Sequence, residues 1–124
     1  MGPKIFSQGA SLRIEWTDDG EESLKEAELQ VPGSRDACKA QLRALIQRLA
    51  EIGKLRSGDQ FRHEGDQIYA VKTRCGLRAY GWFHGNRRGV FVLSHFIMKK
   101  KDKLDPKDLN RAKEIRRLYE ERYP

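Results

Sequence analysis

The chain has few of the residues that build disulfide frameworks or metal centres. Two cysteines and three histidines occur among its 124 residues. The two cysteines are far apart in the sequence, and their spacing matches no metal-ligand motif. Cys38 lies on an apolar helical pattern, and Cys75 stands beside a glycine in a predicted turn. We therefore expect two free thiols in a reducing compartment.

Long hydrophobic runs and familiar catalytic motifs are also missing. No apolar run reaches the roughly 18 residues of a membrane-spanning helix, and no signal-peptide pattern opens the chain, which favours a cytoplasmic protein without a membrane partner. There is no Gly-rich phosphate loop, no Gly-x-Ser-x-Gly motif and no histidine–cysteine zinc signature. Carboxylates are scarce in the basic half of the chain, so we expect no metal and no other cofactor.

Positive charge is abundant and unevenly distributed. The formal net charge is +7, yet the first 36 residues hold eight acidic and four basic side chains. The excess of lysine and arginine therefore belongs to the later part of the chain. A polyanion such as RNA, DNA or an acidic protein segment is its natural partner. A basic surface without a specific partner is the alternative that composition leaves open.

The pattern of apolar residues predicts an α+β fold, with a twisted antiparallel sheet packed on a long helix and a C-terminal helix. A short helix over 21–28 competes with the second of the predicted strands. Residues 54–66 are polar and are interpreted as a loop. The predicted strands cover residues 10–16, 27–31, 68–73, 77–84 and 90–96, and the predicted helices cover 34–52 and the segment after 105.

Residues at the predicted helix ends fit known capping preferences. Ser34 is expected to cap the long helix at its start, and Gly53 to end it. Asp105 caps the last helix, with Pro106 at its first position. We interpret the chain as one domain, in which residues 1–33 form an acidic strand or hairpin extension and residues 34–124 the core.

Basic and aromatic residues alternate along the last three predicted strands and just beyond them. Cations bind phosphates and rings stack on bases, so this mixture suits single-stranded RNA. Phe91 and Phe96 belong more naturally to the core, whereas Tyr80 and Trp82 suit either a core or a stacking role. The basic members are Lys72, Arg74, Arg78, Arg87, Arg88, His95, Lys99, Lys100, Lys101 and Lys103.

Cleavage of RNA without a metal is compatible with this composition. The RNA supplies its own nucleophile, the 2′-hydroxyl group, and lysine or arginine can stabilise the charge that builds on phosphorus. A histidine or a desolvated lysine can transfer the proton. His63, His84 and His95 are dispersed in the sequence, and each also has an ordinary structural interpretation.

An ordered set of motifs from Ile68 to Tyr119 resembles the RelE/HigB superfamily of bacterial toxins, in particular its phage-derived branch. The motifs are a strand ending in a basic residue, an arginine on the next strand, an apolar strand running into paired lysines, and a proline-started helix containing a small residue. They correspond to Lys72, Arg78, His95-Phe96-Ile97-Met98-Lys99-Lys100, Lys103-Leu104-Asp105-Pro106 and Ala112.

The resemblance implies the toxin of a type II toxin–antitoxin system, a metal-independent endoribonuclease that cleaves mRNA in the ribosomal A site. Its partner would be a cognate antitoxin, a helix-turn-helix protein with an acidic contact surface. Arg78, Lys99 and Lys100 would stabilise charge at the scissile phosphate, and His95 or His84 would assist proton transfer. The implied RNA-binding residues are Lys72, Arg74, Tyr80, Trp82, His84, Arg87, Arg88, Lys101 and Lys103.

This chain also departs from the family pattern. It has Ala70-Val71-Lys72 where the family often has Glu-Leu-Arg, and one extra residue separates its phenylalanine from its paired lysines. Two alternatives therefore stay open. One is a non-catalytic nucleic-acid-binding or antitoxin-like module on the same fold, and the other is a protein-interaction domain whose basic face binds an acidic partner.

Overall fold

The computed structural model describes residues 2–99 and 105–124 and gives an α+β fold. Over these residues a six-stranded mixed sheet is covered by three α-helices. No helix in these two segments combines the length and the apolar character needed to cross a bilayer. The elements are β1 (Lys4–Gln8), β2 (Arg13–Trp16), α1 (Asp18–Leu29), α2 (Ala37–Ile52), β3 (Phe61–Gly65), β4 (Ile68–Lys72), β5 (Leu77–Phe83), β6 (Val90–Met98) and α3 (Pro106–Arg122).

The sheet has the strand order β1-β2-β6-β5-β4-β3. The predicted antiparallel pairing is correct for β4, β5 and β6. The strands β1 and β3, which the pattern did not predict, add antiparallel pairs with β2 and β4, and β2 pairs with β6 in parallel. A purely antiparallel sheet was therefore the wrong expectation. A parallel pair needs a long crossover connection, and the connection here is everything from α1 to β5, which no local pattern reveals.

Within residues 2–33, β1 and β2 belong to the sheet and α1 follows them. The strand expected over 27–31 is wrong, because α1 occupies this stretch as the competing interpretation proposed. Thr17 begins the helix: its hydroxyl oxygen accepts a hydrogen bond from the Gly20 N–H at 2.9 Å and donates to the Ser94 carbonyl at 2.7 Å. Leu24 and Ala27 are buried against the sheet, whereas Leu29 is 85% exposed.

The long helix α2 and the final helix α3 match their predicted apolar stripes, with differences at the ends. A short 3₁₀ turn over Gly33–Arg35 precedes α2, so Ser34 is not its N-cap as expected. Gly53 ends α2 in the left-handed conformation at φ 77°, as predicted. Asp105 caps α3 by accepting a hydrogen bond from the Lys107 N–H at 2.9 Å, with Pro106 at the first position.

Polar residues that were expected to form a loop instead make the edge strand β3, which pairs with β4. Edge strands are half solvated, so a polar sequence is compatible with pairing even though its pattern predicts a loop.

The cysteines also differ from expectation. Cys38 and Cys75 are not free thiols but form a disulfide, with 6.2 Å between their Cα atoms.

Helices cover both faces of the sheet. The apolar residues of α1 and α2 pack on one face with Leu93 and Phe96 of β6. On the other face, Ala112 and Tyr119 of α3 pack against a smaller cluster that contains Tyr80 and Trp82. Side chains alternate between faces along a strand, so each of β4, β5 and β6 contributes to both clusters.

A buried carboxylate connects β2 to the β5–β6 hairpin and to α3. Glu15 of β2 is fully buried and accepts two hydrogen bonds from Arg87, at 2.8 and 2.9 Å. The Tyr119 hydroxyl of α3 donates a third at 2.7 Å. Burial alone would raise the pKa of Glu15, but the hydrogen bonds from Arg87 and Tyr119 outweigh it and lower the pKa.

Glu15→Gln is expected to lower the free energy of unfolding at pH 7 by about 3 kcal/mol, because it leaves the Arg87 guanidinium half-buried beside a neutral amide. Urea unfolding followed by circular dichroism measures the change. Glu121→Gln is the matched control, since Glu121 pairs with exposed Arg117 at 3.1 Å and should leave the midpoint almost unchanged. Equal stability of the two variants would contradict the structural role given to Glu15.

Candidate nucleic-acid interface

A cationic cavity lies at the end of the sheet where β4 and β6 finish and β5 begins. It is open to solvent and has a volume of about 470 Å³. Among the described residues that line it, Asp59 is the one carboxylate, and it pairs with Arg56 at 3.3 Å. The cationic side chains in its wall are Arg35, Arg56, Lys72, Arg74, Arg78 and Lys99.

Three neighbouring strands place the central cations of this cavity. Lys72 on β4 stands directly opposite Arg78 on β5, and both are buried, at 7% and 3% exposed. Lys99 follows β6, where its backbone N–H donates to the Gly76 carbonyl at 2.8 Å. Like charges directly opposite each other on adjacent strands repel, and the Lys72 ammonium group also donates to the Gly58 carbonyl at 3.3 Å.

The β4–β5 turn fixes the spacing between these cations. The Thr73 hydroxyl donates to the Leu77 carbonyl at 2.7 Å and closes the turn. Gly76 has φ 100°, and a Cβ atom at this position would collide with the Lys99 carbonyl. A side chain at residue 76 would therefore separate β5 from the end of β6 and change the cavity.

His95 lies behind the cavity and does not line it. It is fully buried, its ring stacks on Tyr80 with 5.1 Å between centroids, and its Nε2 is 3.5 Å from an Asp108 carboxylate oxygen. The other Asp108 oxygen is 3.8 Å from the Lys99 ammonium nitrogen. Burial lowers the pKa of His95 and keeps the ring neutral. The structure therefore places His95 apart from the cavity cations, and its role in proton transfer stays a prediction.

The aromatic residues expected to stack on bases are covered by α3. Tyr80 and Trp82 are 0% and 1% exposed, and the Trp82 indole N–H donates to Glu120 of α3 at 3.1 Å. Burial raises the pKa of Tyr80 to about 12. Neither ring presents a face to solvent in this structure, because α3 packs on this side of the sheet.

His84 and Arg87 also have structural roles away from the cavity. The His84 ring is 2.8 Å from the Tyr123 carbonyl and accepts backbone N–H groups of the hairpin. Arg87 is held by Glu15 as described above. These partners hold both residues at the other end of the strands, away from the cavity.

The remaining predicted residues divide into three groups. Lys72, Arg74, Arg78 and Lys99 lie together in the cavity. Arg88 is exposed in the β5–β6 hairpin and does not line the cavity. Lys100, Lys101 and Lys103 lie outside the described residues.

Sequence reasoning missed two cavity cations. Arg35 precedes α2 and Arg56 follows it, and the packing of this helix on the sheet brings both beside the β4–β5 turn. Both arginines lie in polar segments that flank a predicted helix, and this pattern does not predict that they line a cavity. Within residues 2–99 and 105–124, no cluster of histidine, cysteine, aspartate and glutamate has an arrangement that could hold a metal ion.

Comparison with known proteins assigns no family to this arrangement. The sequence matches no family model and no curated protein.

Acid should destabilise the fold through His95. Its pKa is lowered in the folded chain, so the unfolded chain takes up a proton first as the pH falls through about 6.5. The free energy of unfolding should therefore fall between pH 7.5 and pH 5.5, by at most about 1.4 kcal/mol per pH unit from this group.

His95→Gln should remove part of that dependence in urea titrations at the two pH values. His63→Gln is the control, because His63 is an exposed histidine on β3. Retention of the full wild-type pH dependence by His95→Gln would show that His95 is not responsible.

Proposed function

We propose that the cationic cavity binds the phosphate backbone of single-stranded RNA and cleaves it without a metal. In this proposal the protein is the toxin of a type II toxin–antitoxin system, acting on mRNA at the ribosome, with residues 34–124 in a RelE-like arrangement. The observation that carries the proposal is the convergence of six lysine and arginine side chains on one open cavity. Such a concentration of positive charge attracts a polyanion and raises its local concentration.

The chemistry follows from the positions of the central cations. The RNA 2′-hydroxyl group gives its proton to a solvent water molecule as its oxygen attacks the adjacent phosphorus, the bond to the 5′-oxygen breaks, and a cyclic phosphate forms. Arg78 and Lys99 stabilise the added negative charge on the phosphate oxygens, and Lys72 holds the backbone opposite Arg78. With His84 and His95 elsewhere, a lysine ammonium group of the cavity donates the proton to the leaving oxygen.

The antitoxin of this proposal is a protein that covers the same cavity. An acidic segment matches the charge of the cavity, and its carboxylates can pair with Arg35, Arg56 and Arg74 at the rim. An RNA strand and the antitoxin would then compete for the same cations. The protein would act in the cytoplasm, where translating ribosomes are found.

A second candidate, a non-catalytic RNA-binding module, is favoured by one specific observation. Both histidines proposed for proton transfer are buried outside the cavity. Binding without cleavage would leave the charge arrangement useful and require no acid or base. The two candidates differ in whether message is cut, which the following experiment measures.

Arg78→Ala and Lys99→Ala should each lower the rate of mRNA cleavage on translating ribosomes by about 100-fold or more, because each removes a charge at the scissile phosphate. Primer extension on a defined message measures cleavage. Arg88→Ala removes the same charge from an exposed position outside the cavity and should cut at nearly the wild-type rate.

Circular dichroism of each variant shows whether the fold is retained. Arg78→Lys, which keeps the positive charge, is measured beside Arg78→Ala, so that loss of the site is separated from loss of the fold. An intact message with the wild-type protein would reject the nuclease and leave the binding module. Unchanged cleavage by both folded alanine variants would reject this cavity as the site.

Binding of a short single-stranded RNA should weaken steeply as salt rises, with a log–log slope of about −0.7 for each phosphate contacted. Three contacts in the cavity give a slope of about −2. Arg74→Ala should make the slope shallower by about 0.7, whereas Arg88→Ala should leave it unchanged. Fluorescence anisotropy measures this slope over a roughly sixfold range of salt concentration, from about 50 to about 300 mM. An affinity that does not depend on salt would exclude phosphate binding by either candidate.

A further inference from the structure

The disulfide between Cys38 and Cys75 joins two walls of the cationic cavity. Cys38 is the second residue of α2, and Cys75 lies in the turn between β4 and β5. The Thr73 hydroxyl oxygen is 3.2 Å from the Cys38 sulfur and 3.4 Å from the Cys75 sulfur. Apart from the backbone itself, this bond is the covalent link between the start of α2 and the β4–β5 turn.

The residues beside each cysteine line the cavity. Arg35 and Gln41 stand three positions before and after Cys38, and both belong to its wall. Thr73, Arg74 and Gly76 surround Cys75 and form the facing wall. Breaking the sulfur–sulfur bond would free these walls to move apart, and the mutual repulsion of the cations favours that movement.

A second opening gives solvent access to the disulfide. This open cavity of about 550 Å³ is lined by both cysteines together with Arg35, Ala37, Gln41 and Arg74. Cys75 is partly exposed, whereas Cys38 is 5% exposed. A small thiol entering the opening therefore meets the Cys75 sulfur first.

The electrostatic surroundings favour exchange with an anionic thiol. Arg35 and Arg74 line the opening on either side of the sulfurs and attract negative charge. Cys38 lies in the first turn of α2, where the backbone N–H groups and the helix dipole stabilise a thiolate. Cys38 is thus the better leaving group of the pair.

We infer that Cys38–Cys75 is a thiol-exchange site for small anionic thiols, and that its oxidation state controls the cationic cavity. The incoming thiolate attacks the Cys75 sulfur, the Cys38–Cys75 bond breaks, and Cys38 leaves as a thiolate. A second small thiolate then attacks the small-thiol sulfur of the mixed disulfide, and Cys75 leaves as a thiolate that takes up a proton. The protein disulfide is reduced to two thiols by two electrons and two protons, and two small thiols are oxidised to their disulfide.

The consequence for the cavity rests on the proposed function. In the oxidised chain the walls are held together and the cations are positioned for a phosphate before it binds. In the reduced chain ordering the walls is part of the cost of binding, so affinity for RNA falls. Reduction would therefore weaken the activity without changing any residue of the cavity.

Exchange is tested with the full chain, purified under oxidising conditions, and three thiols of different charge. Mercaptopropionate, mercaptoethanol and cysteamine supply anionic, neutral and cationic probes, compared at equal thiolate concentration by mass spectrometry of trapped species. The anionic thiol should react about tenfold faster than the cationic thiol, and added salt or Arg74→Gln should reduce this ratio. Two free thiols in the oxidised preparation, or rates that ignore thiol charge, would overturn the exchange site.

Control of the cavity is tested by the affinity for a short single-stranded RNA before and after reduction. The dissociation constant should rise about fivefold on reduction. The double variant Cys38→Ser/Cys75→Ser should bind like the reduced chain and ignore the reductant. Equal affinity of the oxidised and reduced chains would overturn the regulatory role. Absence of RNA binding in both states would reject the proposed function, while the charge-dependent exchange is measured independently of it.

Discussion

The buried carboxylate of Glu15 is the contact on which the arrangement of this protein depends. It joins β2, the β5–β6 hairpin and α3, because Arg87 and Tyr119 both donate to it within 2.9 Å. Through this contact α3 is held across the sheet. The position of α3 then decides which side chains of β4, β5 and β6 are covered and which remain open to solvent.

The same strands consequently carry two different environments along their length. Under α3 lie the rings of Tyr80, Trp82 and His95, which form a dry cluster. Beyond the start of α3, Lys72 ends β4, Arg78 lies at the start of β5 and Lys99 follows β6, and all three line an open cavity. Asp108 in the first turn of α3 stands at this boundary, between His95 and Lys99. The function proposed above accordingly relies on the cations and not on aromatic stacking.

The second wall of the cavity comes from the opposite face of the sheet. Helix α2 brings Arg35 and Gln41 to the β4–β5 turn, and the Cys38–Cys75 bond joins the helix to that turn. Positive charges from three strands and from both ends of one helix are thereby collected in one place. Because like charges repel, their spacing depends on the rigidity of the turn and of this bond.

The sequence by itself determined the α+β class, the strands β4, β5 and β6, and the helices α2 and α3 with the caps at Gly53 and Asp105. These are encoded by local periodicity and by backbone preferences of single residues. It also determined that positive charge lies in the later part of the chain.

Only the tertiary structure decided which of the charged and aromatic residues share a site. Tyr80 and Arg78 lie on the same face of one strand and both are buried, yet α3 covers the first whereas the second lines the cavity. Three features join segments that are distant in the sequence. They are the parallel pairing of β2 with β6, the disulfide, and the position of Arg35 and Arg56 in the cavity. Such contacts depend on how whole elements pack, and a local pattern specifies only which face of an element is apolar.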